Sequence, residues 1–515
     1  MIFKKASSSN NPSAKSANVL QDLPRGVEGR AKAKSWLPYQ FFESPEIIAA
    51  NHGFTPRTGE IFLGITHANC TKLKRSDGRS EYLADGGNLI GSLDDRHVLT
   101  IAGSRSGKGR SGIIPNLLTY GGSVFSIDPK GDHALLTAKH RAEVLGQKVG
   151  IIDPFGLMPG ELRSYVVRFN PLSILEYDSP TIIEDAGLIA SALVIEEARE
   201  PHWSETARAF VEGVILHVAT DYKFVKEERN LPMVYDLLSG KMMELDDLIA
   251  EMEDNPCLEG RISGAAVTLK EKASAEQTSV VSTARRNLKF LDYEPIRETL
   301  SGNDFGFEDL KNGNVSIYEC LPVMRMSTCS ALLRVSVNLA LAAMEKSKKK
   351  PDYPVLMILD EFPVLGYMKE LETAIGYMAG LGVKLWIFLQ DLSQLKALYN
   401  KRWETFIGNA GVIQAFGNSE LSTTEFLSKR LGQTTLTVTN QGSVSRDQRN
   451  QQGATGFNHN LQIQSLLTPE EISQYFARDD HLCRQLIIQP GKRPWVLQRA
   501  NYDQHSAFKD YIQPM

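Results

Sequence analysis

The apolar residues of this chain fall into successive patterns. Short apolar runs at 59–65 and 86–92, broken by glycine and proline, indicate edge strands or an antiparallel unit. From residue 97 onward, strand-like runs alternate with helical stretches, which predicts a mostly parallel α/β sheet. The predicted buried strands lie at 97–102, 122–128, 148–153, 314–321, 354–362, 383–391 and 411–417.

Between roughly 175 and 310 the strand pattern disappears. Apolar residues recur there at helical spacing, as in "SETARAFVEGVILHVATDY", which predicts amphipathic helices. We therefore expect an α/β fold that is interrupted by an all-α domain. Further on, a stretch at 433–464 rich in Gln, Asn, Ser and Gly predicts an exposed hairpin or mobile loop, followed by a closing pair of strands.

These changes of pattern divide the chain into five predicted segments. They are a flexible basic arm (1–36), the N-terminal part of the sheet domain (37–174), the all-α domain (175–310), the C-terminal part of the sheet domain (311–500) and a tail (501–515). The arm carries seven basic and two acidic residues, which is typical of a solvated tail and compatible with contact to a membrane surface or nucleic acid.

Composition limits the possible functions without choosing one. Of the 515 residues 42% are apolar and 23% charged, as in ordinary globular proteins, and a net charge of −4 excludes a uniformly basic nucleic-acid coat. The five cysteines are scattered without metal-ligand spacing, which indicates a reducing compartment and no structural zinc. The most apolar stretch, 331–344, is interrupted by polar residues and predicts a buried helix.

The stretch "AGSRSGKGRSGIIPNLL" (102–118) follows a predicted strand and opens a predicted helix. Backbone N–H groups at such a turn converge on one point and, together with the helix dipole, bind phosphate. The pattern departs twice from G-x-x-x-x-G-K-[ST], since Ala102 replaces the first glycine and Gly109 replaces the hydroxyl residue. The predicted phosphate-binding residues are Gly103, Ser104, Arg105, Ser106, Gly107, Lys108, Gly109 and Arg110.

Two adjacent carboxylates, Asp360 and Glu361, end the apolar strand at 354–362. Such charges are costly at a buried strand end unless a cation is present, which indicates a nucleotide with Mg²⁺. We predict that Asp360 holds the metal through water and that Glu361 orients and deprotonates the attacking water. Lys108 is predicted to reach the β- and γ-phosphates, and Gln390, at the end of the next strand, to sense the γ-phosphate. The predicted ligands are ATP and Mg²⁺.

This ordered set of motifs resembles the type IV secretion system coupling proteins, a TraG/TraD-like family of hexameric conjugation ATPases. The resemblance rests on four segments and extends more weakly over most of residues 29–500. The four segments are 102–118, "GSVFSIDPKGD" (122–132), 359–399 and "WETFIGNAGVIQAFG" (403–417). The resemblance implies a RecA-like P-loop NTPase fold interrupted by an all-α domain.

The resemblance also implies a function and partners. Such a protein is an ATPase motor, active as a homo-hexamer, that couples relaxase-bound single-stranded DNA or protein substrates to a type IV secretion channel. Relatives often carry R-S-G-K-G, so the resemblance implies that Gly109 belongs to a working loop. Water and Asp360 would then complete the coordination of Mg²⁺, which keeps several waters when bound to protein.

Two features depart from the family. Its members usually begin with membrane-spanning helices, which this sequence does not show, so we expect a cytoplasmic location with membrane contact that is peripheral or made through a partner. Some relatives carry a trans-acting arginine on the helix after the carboxylate pair, but there is none between Met368 and Gly380. Arg402 and Arg430 are the candidates to act from a neighbouring subunit, although either also fits an ordinary surface position.

Contacts with DNA are less visible in the sequence. The candidates are the basic run "KSKKK" (346–350) and the polar "SRDQRNQQ" segment (445–452), and the basic run also fits a solvated linker. In the "DPKGD" turn (128–132), Lys130 is placed either to touch the nucleotide or to brace the turn.

Two other functions stay open. A cytoplasmic DNA-translocating ATPase of the same superfamily would act without a secretion channel, which the missing membrane helices favour. A non-hydrolysing receptor platform would bind ATP weakly and recruit substrates. The absence of a hydroxyl at residue 109 favours the platform, whereas the intact pair of Asp360 and Glu361 argues against it.

Overall fold

The computed structural model describes residues 18–25, 37–74, 78, 80–195, 201–441 and 457–511. The strands in these ranges are β1 (Ile61–Thr66), β2 (Asn69–Lys74), β3 (Ser80–Asp85), β4 (Asn88–Ser92), β5 (His97–Ala102), β6 (Val124–Asp128), β7 (Lys148–Ile152), β8 (Val315–Cys320), β9 (Val355–Leu359), β10 (Val383–Leu389), β11 (Ala410–Phe416), β12 (Gln433–Gln441), β13 (Phe457–Ser465), β14 (Arg484–Ile488) and β15 (Trp495–Gln498).

Eleven of these strands form one sheet in the order β4-β1-β15-β14-β11-β5-β10-β9-β6-β8-β7. The strands from β11 to β7 pair in parallel, and they are the seven strands predicted from the apolar runs. Helices cover both faces, so most residues of these strands are buried, as a continuous apolar run requires. The antiparallel strands β14, β15, β1 and β4 extend one edge, which agrees with the edge strands expected before residue 97.

Helices connect the parallel strands and fill the long gap between β7 and β8. The α-helices are α1 (Pro45–Asn51), α2 (Ile114–Thr119), α3 (Asp132–Glu143), α4 (Ile182–Leu193), α5 (Pro201–Thr220), α6 (Leu231–Ser239), α7 (Leu245–Asp254), α8 (Arg261–Lys270), α9 (Ser274–Leu288), α10 (Glu294–Leu300), α11 (Asp309–Asn312), α12 (Val323–Lys346), α13 (Lys369–Ala374), α14 (Leu392–Tyr399), α15 (Trp403–Gly408), α16 (Leu421–Leu431) and α17 (Pro469–Tyr475). The described part of 175–310 contains helices and no strand, as the helical periodicity predicted.

Helix α12 is the long apolar helix of the core. By length and hydropathy it could cross a membrane, but 72% of its most apolar window is buried inside the protein. Its buried Arg334 donates from Nε to the carbonyl of Ala192 at 2.7 Å, at the end of α4. The helix therefore packs between the sheet and the helical layer, which confirms the buried helix predicted at 331–344.

Part of the predicted N-terminal arm is packed onto the sheet domain. Val19 and Leu23 are each 1% exposed, and Arg25 forms an ion pair with Glu471 on α17. Residues 18–25 therefore differ from the loose arm expected there, because their few apolar side chains complete the core beside the C-terminal strands. The rest of 1–36 lies outside the described residues.

The predicted polar hairpin is formed by β12 and β13, which pair in antiparallel register from Gln433–Ser465 to Gln441–Phe457. The connection at 442–456 lies outside the described residues, and with it the candidate DNA-contacting segment 445–452. Strands β14 and β15 form the predicted closing pair.

Candidate nucleotide-binding site

The predicted site residues meet at the carboxyl edge of the parallel sheet. Strands β5, β10 and β9 are neighbours in that order, and their last residues are Ala102, Leu389 and Leu359. The segments that follow them enclose a cavity of about 590 Å³. All eleven predicted site residues line it: Gly103, Ser104, Arg105, Ser106, Gly107, Lys108, Gly109, Arg110, Asp360, Glu361 and Gln390.

The loop after β5 has the backbone conformation of a phosphate nest. Arg105 (φ 57°) and Gly107 (φ 94°) are left-handed, which turns successive N–H groups toward one side. Gly103 is required by packing, because a Cβ there would lie 2.0 Å from the carbonyl oxygen of Gly417. The chain then enters a π-helical turn at Gly109–Ile113 that continues directly into α2.

Lys108 lies between the two carboxylates. Its Nζ is 2.8 Å from Oδ1 of Asp360 and 2.9 Å from Oε1 of Glu361. Burial alone would lower the pKa of this ammonium, but the two carboxylates outweigh burial and raise the pKa above its ordinary value of 10.5. Lys108 is therefore a fixed cation that pairs with both carboxylates and offsets one of their two negative charges.

Glu361 is held in place by its backbone and by Gln390. It has left-handed dihedrals (φ 55°, ψ 42°), a conformation that costs a non-glycine residue about 1–3 kcal/mol. Gln390 donates from Nε2 to Oε2 of Glu361 at 3.3 Å, and its backbone N–H donates to the side chain of Gln394 on α14 at 2.9 Å. Gln390 thus links the glutamate to the start of the following helix.

His133, which the motif reasoning did not single out, lies behind Asp360. Its Nε2 is 3.8 Å from Oδ2 of Asp360, and its Nδ1 is 3.0 Å from Oγ of Ser126 and 3.9 Å from Oδ1 of Asp128. Burial raises the pKa of the Asp128 carboxyl above its ordinary value, although His133 and the backbone of Ala134 act in the opposite direction. The only sequence signal for His133 was its position directly after the "DPKGD" turn.

The two unusual positions of the loop have different surroundings. A Cβ at Gly109 would meet no atom within 4 Å, so a hydroxyl residue would fit there. Ser111 does not replace that hydroxyl, because its Oγ donates to the carbonyl of Gly107 at 3.0 Å. Arg110 lines the cavity, but its guanidinium is already paired. It binds Asp503 at 2.6 and 2.7 Å and also pairs with Glu81.

Apart from Lys130, the other candidates lie away from this centre. Arg402 is exposed on the surface and pairs with Glu372 at 2.6 Å, and Arg430 is exposed on α16. Lys130 lines the cavity. The basic run 346–350 begins at the last residue of α12, and its Lys349 donates to the carbonyl of Asn312, just before β8 begins, at 2.6 Å. This run therefore lies at the amino edge of the parallel strands, opposite the phosphate loop.

Residues 50–515 match the family model described as "Type IV secretory system Conjugative DNA transfer". The chain belongs to this family. The match spans both parts of the sheet, the helical layer and every predicted site residue. The loop after β5 and the carboxylate pair after β9 therefore both lie within the region that matches this one family model.

Two curated relatives agree with this membership. The chain is 29% identical over 413 residues to "Conjugal transfer protein TraG" of Escherichia coli, which covers 77% of the chain and 63% of that relative. It is 26% identical over 498 residues to "Type IV secretion system-coupling protein VirD4" of Bartonella quintana, covering 93% of the chain and 73% of that relative. The chain thus spans less than two thirds of the TraG length.

Solved structures of the coupling protein TrwB share the fold. The unbound form of "Bacterial conjugative coupling protein TrwBdeltaN70" superposes with a TM-score of 0.64 at 15% identity, covering 96% of this chain and 100% of that one. The form described as TrwB "in complex with ADP and Mg2+" gives 0.58 at 15% identity, covering 88% and 98%. The likeness confirms the predicted α/β, RecA-like P-loop fold.

Proposed function

We propose that this chain is an ATP-hydrolysing motor that couples DNA, as a relaxase-bound single strand, or protein substrates to a type IV secretion channel. The observation that carries the proposal is the convergence of the phosphate loop, Asp360, Glu361 and Gln390 on one cavity. The names of the relatives TraG and VirD4, which refer to conjugal transfer and to coupling in type IV secretion, support the choice of process.

The residues of the cavity fit a magnesium nucleotide. The two carboxylates already share a cation, the Lys108 ammonium, and the space beside Gly109 is open. No cluster of three or more His, Cys, Asp or Glu side chains that could hold a metal occurs in the described ranges. This suits Mg²⁺, which binds through one or two carboxylates, water and phosphate oxygens. One solved form of TrwB is described as a complex with ADP and Mg²⁺.

Each residue of the site has a defined task in this proposal. ATP supplies the phosphoanhydride bond, and Mg²⁺ neutralises charge on the phosphates. The loop N–H groups and Lys108 bind the phosphates, and Asp360 holds the metal through water. Glu361 accepts a proton from the attacking water at a carboxylate oxygen. Gln390 restrains Glu361 and connects it to α14. A change in the nucleotide bound at the site is thereby transmitted to this helix.

The remaining assignments rest on the same function. We assign residues 37–174 and 311–500 to the two parts of the nucleotide-binding domain and 175–310 to the all-α domain, with 1–36 and 501–515 as terminal segments. The active form is a homo-hexamer, since motors of this kind enclose the transported strand. The protein acts in the cytoplasm and contacts the inner membrane peripherally or through a partner.

The test is ATP hydrolysis measured with and without single-stranded DNA, alongside the mass of the protein in solution. We expect Glu361→Gln to lower turnover about 10²- to 10⁴-fold, as loss of a general base does, while ADP still binds. Glu404→Gln, which changes an exposed glutamate on α15, is the matched control and keeps wild-type turnover. Equal turnover in all three proteins contradicts the proposal. Nucleotide binding without turnover under any DNA condition favours a receptor platform instead.

A further inference from the structure

Arg499 lies directly behind the phosphate loop. It follows the last residue of β15 and is 8% exposed. Its Nη1 donates to the carbonyl of Ser106 at 3.0 Å, which connects the C-terminal strand pair to the loop. The same side chain lines a second cavity, of about 660 Å³, that adjoins the loop at residues 105–107.

The guanidinium of Arg499 is bound by carbonyl groups. Besides Ser106, its described acceptors are the carbonyls of Cys483 (3.3 Å), Arg478 (3.0 Å) and Ala477 (3.5 Å). It also lies over the ring of Phe416, with 5.2 Å between its Cζ and the ring centroid. No carboxylate is among its hydrogen-bond acceptors in the described part of the chain.

The nearby carboxylate of Asp480 is already occupied. Arg484 binds it through Nε at 3.0 Å and Nη2 at 2.7 Å. Burial lowers the pKa of Arg499 below its ordinary value, while Asp480 and other acidic groups act on it only through space. An arginine nevertheless stays protonated in proteins. A buried charge is costly without a counter-charge, so the cation behind the loop is only partly compensated in this state.

The hydrogen bond to Ser106 also sets the direction of a loop peptide. In a trans peptide the carbonyl and the following N–H point in opposite directions, and the described chain contains no cis peptide bond. The carbonyl of Ser106 points at Arg499, so the N–H of Gly107 points away from Arg499. This places a donor of the left-handed turn on the side of the loop opposite the arginine.

We infer that Arg499 is a positioning residue for the phosphate loop and that its charge is completed by the bound polyphosphate. The inference rests on the proposed nucleotide-binding function. Arg499 fixes the Ser106–Gly107 peptide with its N–H free for phosphate, and it adds a permanent positive charge behind the nest. Removing the Arg499 side chain therefore weakens binding more for a ligand with more negative charge. If Arg499 had a purely structural role, the loss of affinity would not depend on the charge of the ligand.

The experiment compares Arg499→Met with Arg334→Met. Arg334 is an equally suitable buried arginine, since it binds the carbonyl of Ala192 and Oγ of Ser330 and lies on α12, between the sheet and the helical layer. Dissociation constants for ADP and for inorganic tripolyphosphate are measured by calorimetry at constant ionic strength. For Arg499→Met we expect a loss of about tenfold or more, larger for tripolyphosphate than for ADP, as loss of a charged hydrogen-bond donor implies. Arg334→Met is expected to bind both like the wild type.

A second variant, Arg499→Lys, keeps the charge and loses the planar fork of donors. We expect it to recover most of the affinity for tripolyphosphate, while hydrogen exchange of the loop amides at 103–109 stays faster than in the wild type. If Arg499→Met does not fold, Arg499→Lys alone tests the positioning role. Wild-type exchange together with wild-type affinity in Arg499→Lys overturns the positioning role.

Two further outcomes separate the possible failures. If the wild type binds neither ligand, the proposed function fails. If the wild type binds but Arg499→Met stays within about twofold of it, or if Arg334→Met loses as much, the inference about Arg499 is overturned and the proposed function stands.

Discussion

The Nζ of Lys108 lies 2.8 Å from Oδ1 of Asp360, so the cation of the phosphate loop pairs with the carboxylate that we propose to hold the metal. In the proposed function, entry of a magnesium nucleotide replaces the pairing of Lys108 with the carboxylates by contacts of Lys108 with the phosphates and of Asp360 with the metal. This exchange keeps two adjacent carboxylates tolerable in both states, because a buried carboxylate without a cation is costly.

Replacing Lys108 by Met removes this cation and leaves Asp360 and Glu361 facing each other. We expect the affinity for ADP with Mg²⁺ to fall about 100-fold, because the phosphates lose a charged hydrogen bond and the acidic pair repels them. Isothermal titration calorimetry measures the change. Lys429→Met, at an exposed lysine on α16, is the control that binds like the wild type. Unchanged affinity in Lys108→Met excludes contact between this lysine and the phosphates.

Gln390 offers a test of how Glu361 is restrained. Gln390→Ala removes the 3.3 Å hydrogen bond to Oε2 of Glu361 but leaves the loop and Lys108 in place. We expect ADP affinity within about twofold of the wild type and ATP turnover lower by about tenfold, since a misplaced base costs rate more than binding. Gln277→Ala on α9 is the control, because its side-chain amide donates to the nearby carbonyls of Lys270 and Lys272. A parallel loss of binding and turnover would assign Gln390 to nucleotide binding instead.

The two loop glycines 103 and 109 are expected to respond in opposite ways to substitution. Gly109→Ser places its Cβ in open space, so we expect the free energy of unfolding to stay equal or to rise by about 0.5 kcal/mol, as glycine is unfavourable within a helix. The new hydroxyl also supplies a metal ligand, so ADP binding becomes more dependent on Mg²⁺.

Gly103→Ala is the matched contrast, because its Cβ would lie 2.0 Å from the carbonyl oxygen of Gly417. We expect this change to lower the free energy of unfolding by about 1–3 kcal/mol and to weaken ADP binding. Urea unfolding and ADP titration with and without Mg²⁺ measure both variants. Destabilisation by Gly109→Ser as large as that by Gly103→Ala contradicts the described loop.

Glu319, on β8, gives a prediction about pH. Its Oε1 accepts from Oγ of Ser336 at 3.0 Å, and burial raises its pKa from 4.5 to about 8. Between these two values the folded protein keeps the proton that the unfolded chain has released. Stability therefore falls as the pH rises from 4.5 to about 8, and the full penalty is present above pH 8.

Glu319→Gln removes this titration and keeps the shape of the side chain. We expect its Tm to exceed that of the wild type by a difference that grows between pH 5 and pH 8.5 and reaches several degrees. Calorimetry across this pH range checks it, with the exposed Glu298→Gln on α10 as control. A difference that is constant with pH contradicts a neutral buried Glu319.

The strands of the parallel sheet were predictable because each is a local apolar run, buried on both faces whatever its neighbours are. The packing of residues 18–25 was not predictable in this way. Val19 and Leu23 are isolated apolar residues in a polar stretch, and their burial depends on the surface that α17 and the C-terminal strands present to them. Likewise, no local pattern indicated that β14 lies beside β11 and β15 beside β1 in the sheet.

The same division holds for the site. The sequence alone was enough to predict that Lys108, Asp360, Glu361 and Gln390 lie together. Each follows an apolar strand, and the carboxyl ends of parallel strands meet at one edge of the sheet. Only the tertiary structure decided that Arg499 lies behind the loop. Its position depends on the antiparallel pairing of β14 with β11 and of β15 with β1, which join residues far apart in the sequence and leave no periodicity or motif that indicates them.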